Sequence, residues 1–186
     1  MQKKRVVSML TAVFFMIAMQ AMAADFTLHS PQLEQGGTLG MEQVFNGFGC
    51  SGANISPELN WSGAPAGTKS FAVTVYDPDA PTGSGWWHWL VFNIPATVHT
   101  LVKGSGNPEK ELLSPGSVQS RTDYGKPGYG GACPPAGDKP HRYRFTVWAL
   151  DTPELPLGPD VSAAMVGFYL HQHQLARATL TVTYGR

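Results

Sequence analysis

Polar and apolar positions alternate most regularly in three stretches of this chain. From Ser70 to Tyr76 the side chains of Phe71, Val73 and Val75 fall on one side, a period of two that predicts a strand, and Asp77 continues that side. Turn-forming residues follow (Pro78, Asp79, Pro81, Gly83, Ser84, Gly85), and then a second apolar run from Trp87 to Ile94, in which His88, Leu90, Phe92 and Ile94 share a face. Antiparallel pairing would set the end of the first strand beside the start of the second, so that Asp77 and His88 meet at one rim of the sheet. The third stretch, His141 to Leu150, has His141, Tyr143, Phe145, Val147 and Ala149 on one parity and Arg142, Arg144, Thr146 and Trp148 on the other. If Phe145 and Val147 face the core, His141 joins Asp77 and His88 at its mouth.

The remaining elements are sparser. A helix is predicted from about Ser162 to Gln174, with Asp160 or Ser162 as its N-cap and Met165, Phe168 and Tyr169 as its buried stripe. Ala178 to Tyr184 alternates again as a closing strand, and shorter strands are expected near Asp25–His29 and Glu58–Trp61. With 21 Gly, 15 Pro and only 14% charged residues, the composition suits turns and strands better than a helical bundle. The fold class expected is therefore mainly β: two packed antiparallel sheets with one or two helices at the periphery.

Charge changes the picture at the N-terminus. Lys3, Lys4 and Arg5 precede an apolar run from Val6 to Met19, and Ala21-Met22-Ala23 closes it, the order of a secretory signal peptide cleaved after Ala23. The whole chain balances 13 basic against 13 acidic residues; without Lys3, Lys4 and Arg5 the balance becomes 10 to 13, about −3. A mildly acidic protein is a poor non-specific binder of nucleic acid, which requires phosphate neutralisation. No later run reaches the roughly 18 apolar residues of a membrane span. Residues 24–186 are expected to form one exported domain, periplasmic or secreted.

The exported setting bears on Cys50 and Cys133, the only cysteines. An even thiol count in an oxidising compartment reads first as a disulfide, with free structural thiols, or a nucleophilic cysteine paired with His141, as alternatives. The rim residues Asp77, His88 and His141, a tyrosine hydroxyl and the glycine-rich segment 125–140 suit a small anion: imidazolium and free N–H groups attract it, Asp77 orients a ring, and Trp86 walls one side. Asp77, Asp79, His88 and His141 are also metal-ligand types, but no closely spaced histidine pair among them marks a site, and no metal or cofactor is expected. The other histidines (His29, His99, His171, His173) read as surface or rim residues. Gly47-Phe48-Gly49-Cys50-Ser51-Gly52 matches a dinucleotide-binding pattern literally, yet Asn54, Ser56 and Pro57 deny it the helix it needs.

Asp77-Pro78-Asp79-Ala80-Pro81, Trp86-Trp87-His88-Trp89, Gly131 to Pro135 and His141-Arg142-Tyr143, after an early Ser56-Pro57-Glu58-Leu59-Asn60-Trp61, together resemble the phosphatidylethanolamine-binding protein (PEBP) family, in its bacterial Raf-kinase-inhibitor-like branch and its exported form. The resemblance implies a β-sandwich with a small pocket for phosphate or a phosphoethanolamine head group, lined by Asp77, Trp86, His88, Gly131, His141 and Tyr143. Two departures stand out. Trp87-His88 replaces the His-His of many eukaryotic members, and Cys133 takes the place of a usual glycine, where a bridge to Cys50 would stiffen the pocket loop.

Three functions follow as expectations. The first is a binding protein for phosphate-type anions and no enzyme. The second is a phosphoester or metal-assisted hydrolase using the same rim, for which no activated nucleophile is apparent. The third is an interaction protein of kinase- or protease-inhibitor type, for which the sequence offers no partner-specific motif.

Overall fold

A computed structural model describes residues 25–186; the expected signal peptide, residues 1–23, lies outside them. The elements in chain order are β1 (Thr27–His29), β2 (Asn46–Gly47), β3 (Cys50–Ser51), β4 (Leu59–Ser62), β5 (Ser70–Asp77), β6 (Trp86–Pro95), β7 (Thr100–Leu101), β8 (Val118–Gln119), β9 (His141–Leu150), α1 (Ala163–His173) and β10 (Gln174–Tyr184). A five-stranded antiparallel sheet runs β10-β9-β5-β6-β8, a three-stranded one runs β1-β4-β7, and β2 and β3 form a separate hairpin.

The two larger sheets pack face to face. Leu28, Leu59, Trp61 and Leu101 from the smaller sheet meet Phe71, Val73, Val75, Trp89, Val91, Phe145, Val147 and Val182 from the larger. The outer face of the larger sheet carries a second core of Ala72, Leu90, Phe92, Trp148 and Leu150, covered by Leu155 and α1. A sheet buried on both faces reads as nearly continuous apolar sequence, as in β6.

That double burial corrects one expectation. Strand β6 is not regular: Val75 pairs with Trp89 but Tyr76 with Trp87, and Phe71 pairs with Ile94 but Val73 with Val91. Each step leaves an extra residue on β6, a β-bulge, the second containing Asn93 at φ 59°. His88, Leu90, Phe92 and Ile94 therefore do not share a face: Trp89, Val91 and Ile94 enter the main core, while Leu90 and Phe92 point to the helix side. The bulge at His88 returns that side chain to the inner face, beside Tyr143.

A second correction concerns α1. Ser162 is its N-cap, its hydroxyl accepting from Met165 N, as expected. The buried stripe, however, is Ala163, Val166 and Leu170, while Met165 and Phe168 are exposed and Tyr169 is partly buried. Both stripes have three- and four-residue spacing, so periodicity fits either. Contact with Ala72, Leu90 and Trp148 selects the one of smaller side chains. The Gly47–Gly52 segment is a hairpin and no helix follows it, as its residues predicted.

Candidate functional site

Strands β5, β6 and β9 lie side by side and antiparallel, so the C-terminal end of β5 and the N-terminal ends of β6 and β9 share one rim. Asp77 pairs with Trp86, and β9 flanks β5 on the other side with Tyr76 opposite Arg144. The rim closes around a cavity of about 200 Å³. Asp77, Trp86, His88, His141 and Tyr143 line it, together with Tyr124, Phe48, Ala80–Thr82 and Cys133–Pro135. Five of the six residues expected from the sequence and the resemblance thus converge. A larger groove of about 810 Å³ beside β1 and β10 holds none of the unpartnered buried polar atoms described below.

Gly131 lies behind the wall, outside the lining. Its N–H donates to Asn54 Oδ1 (2.7 Å) and its carbonyl accepts from the Tyr124 hydroxyl (2.8 Å), so it offers no free N–H to a guest. A Cβ there would lie 2.1 Å from the Gln43 carbonyl oxygen. Glycine at this position lets the segment pass flat against residues 43–45 and present Tyr124 to the cavity.

The two histidines are held differently. His141 Nδ1–H donates to Asp77 Oδ2 (2.7 Å), Asp77 Oδ1 accepts from Asp79 N (2.8 Å), and His141 Nε2 lies 3.5 Å from Asp138. Asp77 is thus engaged on both oxygens and orients His141, as expected. His88 Nδ1–H donates to the Gly130 carbonyl (2.7 Å), while the Gly130 N–H donates to the His88 carbonyl (2.8 Å). That reciprocal pair places the ring proton on Nδ1 and leaves Nε2 as an acceptor. Burial lowers the His88 pKa, outweighing the Gly130 bond and the nearby Asp77 charge, so the imidazolium expected there gives way to a neutral ring.

Neutral His88 has a consequence for stability. Its folded pKa is depressed, so below the unfolded value of about 6.5 the unfolded state binds the extra proton. Stability should fall as pH drops through that range, by at most about 1.4 kcal/mol per pH unit from this group. Thermal denaturation between pH 7 and 5 should show a smaller loss in a His88→Gln variant than in the parent; equal losses would place the acid sensitivity elsewhere.

Six buried side-chain polar atoms among the described residues lack a partner, and three belong to this lining: Trp86 Nε1, His88 Nε2 and the Tyr143 hydroxyl. Burial raises the Tyr143 pKa well above the tyrosine range, so the hydroxyl stays protonated. Elsewhere at the rim, Asp79 is taken by Arg142 through a two-pronged contact (2.8 and 2.6 Å), which holds its carboxyl down to about 2. The Arg186 guanidinium bonds the carbonyls of Pro134, Gly49 and Phe48. Among the described residues, no lysine or arginine lines the cavity.

Cys50 and Cys133 are bridged, which removes the free-thiol and nucleophilic-cysteine alternatives. Cys133 is part of the wall, and the bridge ties it to the β2–β3 hairpin, whose tip Phe48 stacks on Tyr124 (5.7 Å). Trp87, the neighbour of His88 that departs from the expected His-His pair, packs on Tyr76 and is absent from the lining. Sequence reading missed Tyr124 and Phe48: both sit in turns, where no periodicity points a side chain. His29, His99, His171 and His173 lie away from the cavity; His173 meets Asp151 and His171 its own helix.

Comparison with known proteins adds kinship to this geometry. Residues 29–185 match the profile of the phosphatidylethanolamine-binding protein family. The chain is 53% identical to the UPF0098 protein YbcL of Escherichia coli K12 over 94% of this chain and 95% of that one. It is 52% identical to YbhB of the same organism, over 84% of this chain and 98% of YbhB. The crystal structure of E. coli YbcL, described as a new member of the mammalian PEBP family, superposes with a TM-score of 0.86 at 54% identity, covering 88% of this chain and 99% of that one.

Proposed function

The chain belongs to the phosphatidylethanolamine-binding protein family, and from that premise we propose that it is an exported binding protein whose Asp77–His88–His141 cavity takes a small phosphate-type oxyanion, free or as a head group. One observation carries this reading: three buried polar atoms without a partner line one cavity of about 200 Å³. An unmet buried donor or acceptor costs about 1–3 kcal/mol, so a site retaining three is built for a guest that meets them. Trp86 Nε1–H and the Tyr143 hydroxyl would donate to the guest, His88 Nε2 would face it as an acceptor, and Asp77 would position His141 at its side. The volume, below that of drug-sized pockets, suits a head group better than a whole lipid. Export is supported by the disulfide, which belongs to oxidising compartments.

Binding is favoured over hydrolysis because, among the described residues, the thiol and hydroxyl of the lining that could attack are already engaged. The thiol is bridged, and the Thr82 hydroxyl donates to the Gly85 carbonyl. Calorimetry with inorganic phosphate and phosphoethanolamine at millimolar concentration tests the proposal. Saturable heat is expected, weakened about tenfold or more in a His88→Ala variant that still folds. Absence of heat with both ligands, or affinity indifferent to His88, would defeat it.

A further inference from the structure

We propose that the free edge of β10 is a docking site for an extended segment of another polypeptide, which would lie in the groove between β10 and β1 as one more strand of the larger sheet. The backbone of β10 carries the argument. Its register with β9 runs unbroken from Ala176 to Tyr184, so alternate residues turn their N–H and C=O away from β9. Thr181 and Thr183 belong to that set, and the chain meets them itself. Thr181 O accepts from Gly36 N (2.8 Å) and Thr183 O from Leu39 N (2.9 Å), while Thr183 N donates to Gly37 O (2.8 Å) and Thr181 N to Gln35 Oε1 (2.9 Å). The next members toward the start of β10, Thr179 and Arg177, have no such backbone partner among the described residues. The ladder stops where the Gln35 side chain stands in for a backbone carbonyl, and the groove of about 810 Å³ opens beside it.

The surroundings suit a strand-shaped guest. Edges of this kind are commonly guarded by a charge, a proline or a bulge. Here the bulge, at Leu175, precedes the free stretch, and no proline interrupts it. The Arg177 guanidinium lies over the Trp148 ring (5.3 Å to the centroid), on the outer face of the sheet rather than across its edge. The facing wall is apolar at Phe26, Leu28 and Leu33, and β1 is itself the last strand of the smaller sheet. A guest with period-two alternation would set apolar side chains on Leu28 and Leu180 and polar ones beside Thr179. Main-chain bonds would hold it, so the partner is defined by an unpaired, extended, β-branched stretch more than by an exact sequence. A second copy of this chain fits less well: the wall of residues 26–35 flanks β10, and pairing β10 with β10 would bring that wall against its own copy.

The test is residue-resolved amide hydrogen exchange with two probes: a short peptide alternating valine and threonine, acetylated and amidated at its ends, and the same peptide methylated on every backbone nitrogen. In the free protein the Arg177 and Thr179 amides should exchange fast, and those of Ala178 and Leu180, which face β9, slowly. Saturation with the first peptide at millimolar concentration should slow Arg177 and Thr179 about tenfold or more, the worth of about one hydrogen bond, and the methylated peptide should not. Thr179→Pro removes an outward N–H and no bond to β9, so it should weaken the peptide about tenfold, whereas Thr179→Ala, with the backbone intact, should still bind it. Protection confined to other amides, an equal effect of the methylated peptide, or no binding by the first peptide overturns the proposal. Slow Arg177 and Thr179 amides in the free protein overturn it too, the chain filling its own edge if they are independent of concentration and a second copy filling it if they are not. Should Thr179→Pro fail to fold, the exchange measurement on the wild-type protein decides by itself. None of these outcomes bears on the oxyanion reading.

Discussion

Replacing Cys50 and Cys133 together by alanine is expected to lower unfolding stability by about 2–4.5 kcal/mol, the largest single effect we anticipate. The bridge spans a sequence separation of 83, and the chain-entropy model sets about 4.5 kcal/mol as the upper figure for a loop of that size. Its loss should reach the cavity as well. The β2–β3 hairpin turns through Phe48 and Gly49 at φ 51° and 81°, a left-handed pair that costs a bulky residue such as phenylalanine about 1–2 kcal/mol. What holds Phe48 there is the bridge, the Arg186 contacts to the Phe48 and Gly49 carbonyls, a tilted contact with Phe45 and stacking on Tyr124. Without the bridge the tip and the Cys133–Pro135 wall part company, and affinity for phosphoethanolamine falls with stability. Urea denaturation of the variant and of the reduced parent should give matching losses; a loss below about 1 kcal/mol would mean that the loop closure constrains the unfolded chain little.

Tyr143→Phe is expected to move stability and affinity in opposite directions. Tyr143 is 1% exposed and packed in the main core, with its hydroxyl buried and unpartnered. Deleting that oxygen removes a polar group whose desolvation nothing in the protein repays, so the unliganded protein should gain about 1 kcal/mol or more. The same deletion takes a donor from the guest, and affinity for phosphoethanolamine should drop about tenfold or more, as for a bond to a charged partner. A purely structural hydroxyl would lower stability when removed and leave binding alone. Thermal denaturation without ligand, paired with calorimetry, separates the cases. Destabilisation of the unliganded variant would remove the hydroxyl from the argument for a ligand site.

Much of the site was legible because it rests on unbroken strands. In β5 and β9 the period of two holds from end to end, so Asp77 and His141 stand on the side that Val75 and Phe145 announce, and Tyr143 with them. His88 is a different case. With Trp89 and Val91 entering the core, a regular strand would turn His88 toward the helix side; the bulge between Trp87 and Trp89 reverses it. The expected position was reached by a parity that β6 does not keep.

What the linear order of residues determined by itself was the mainly β architecture, the strands that meet at one rim, and the family, since alternation and local motifs are properties of neighbouring residues. Only the tertiary structure decided which strand carries a bulge, which stripe of α1 is buried, that Gly131 stands behind the wall, and that Tyr124 and Phe48 complete it. It also decided that His88 is neutral with Nε2 unmet, because a ring's proton depends on burial and on a carbonyl 42 residues further along the chain. Each of these depends on packing between segments remote in sequence, where the competition for space and hydrogen-bond partners is resolved.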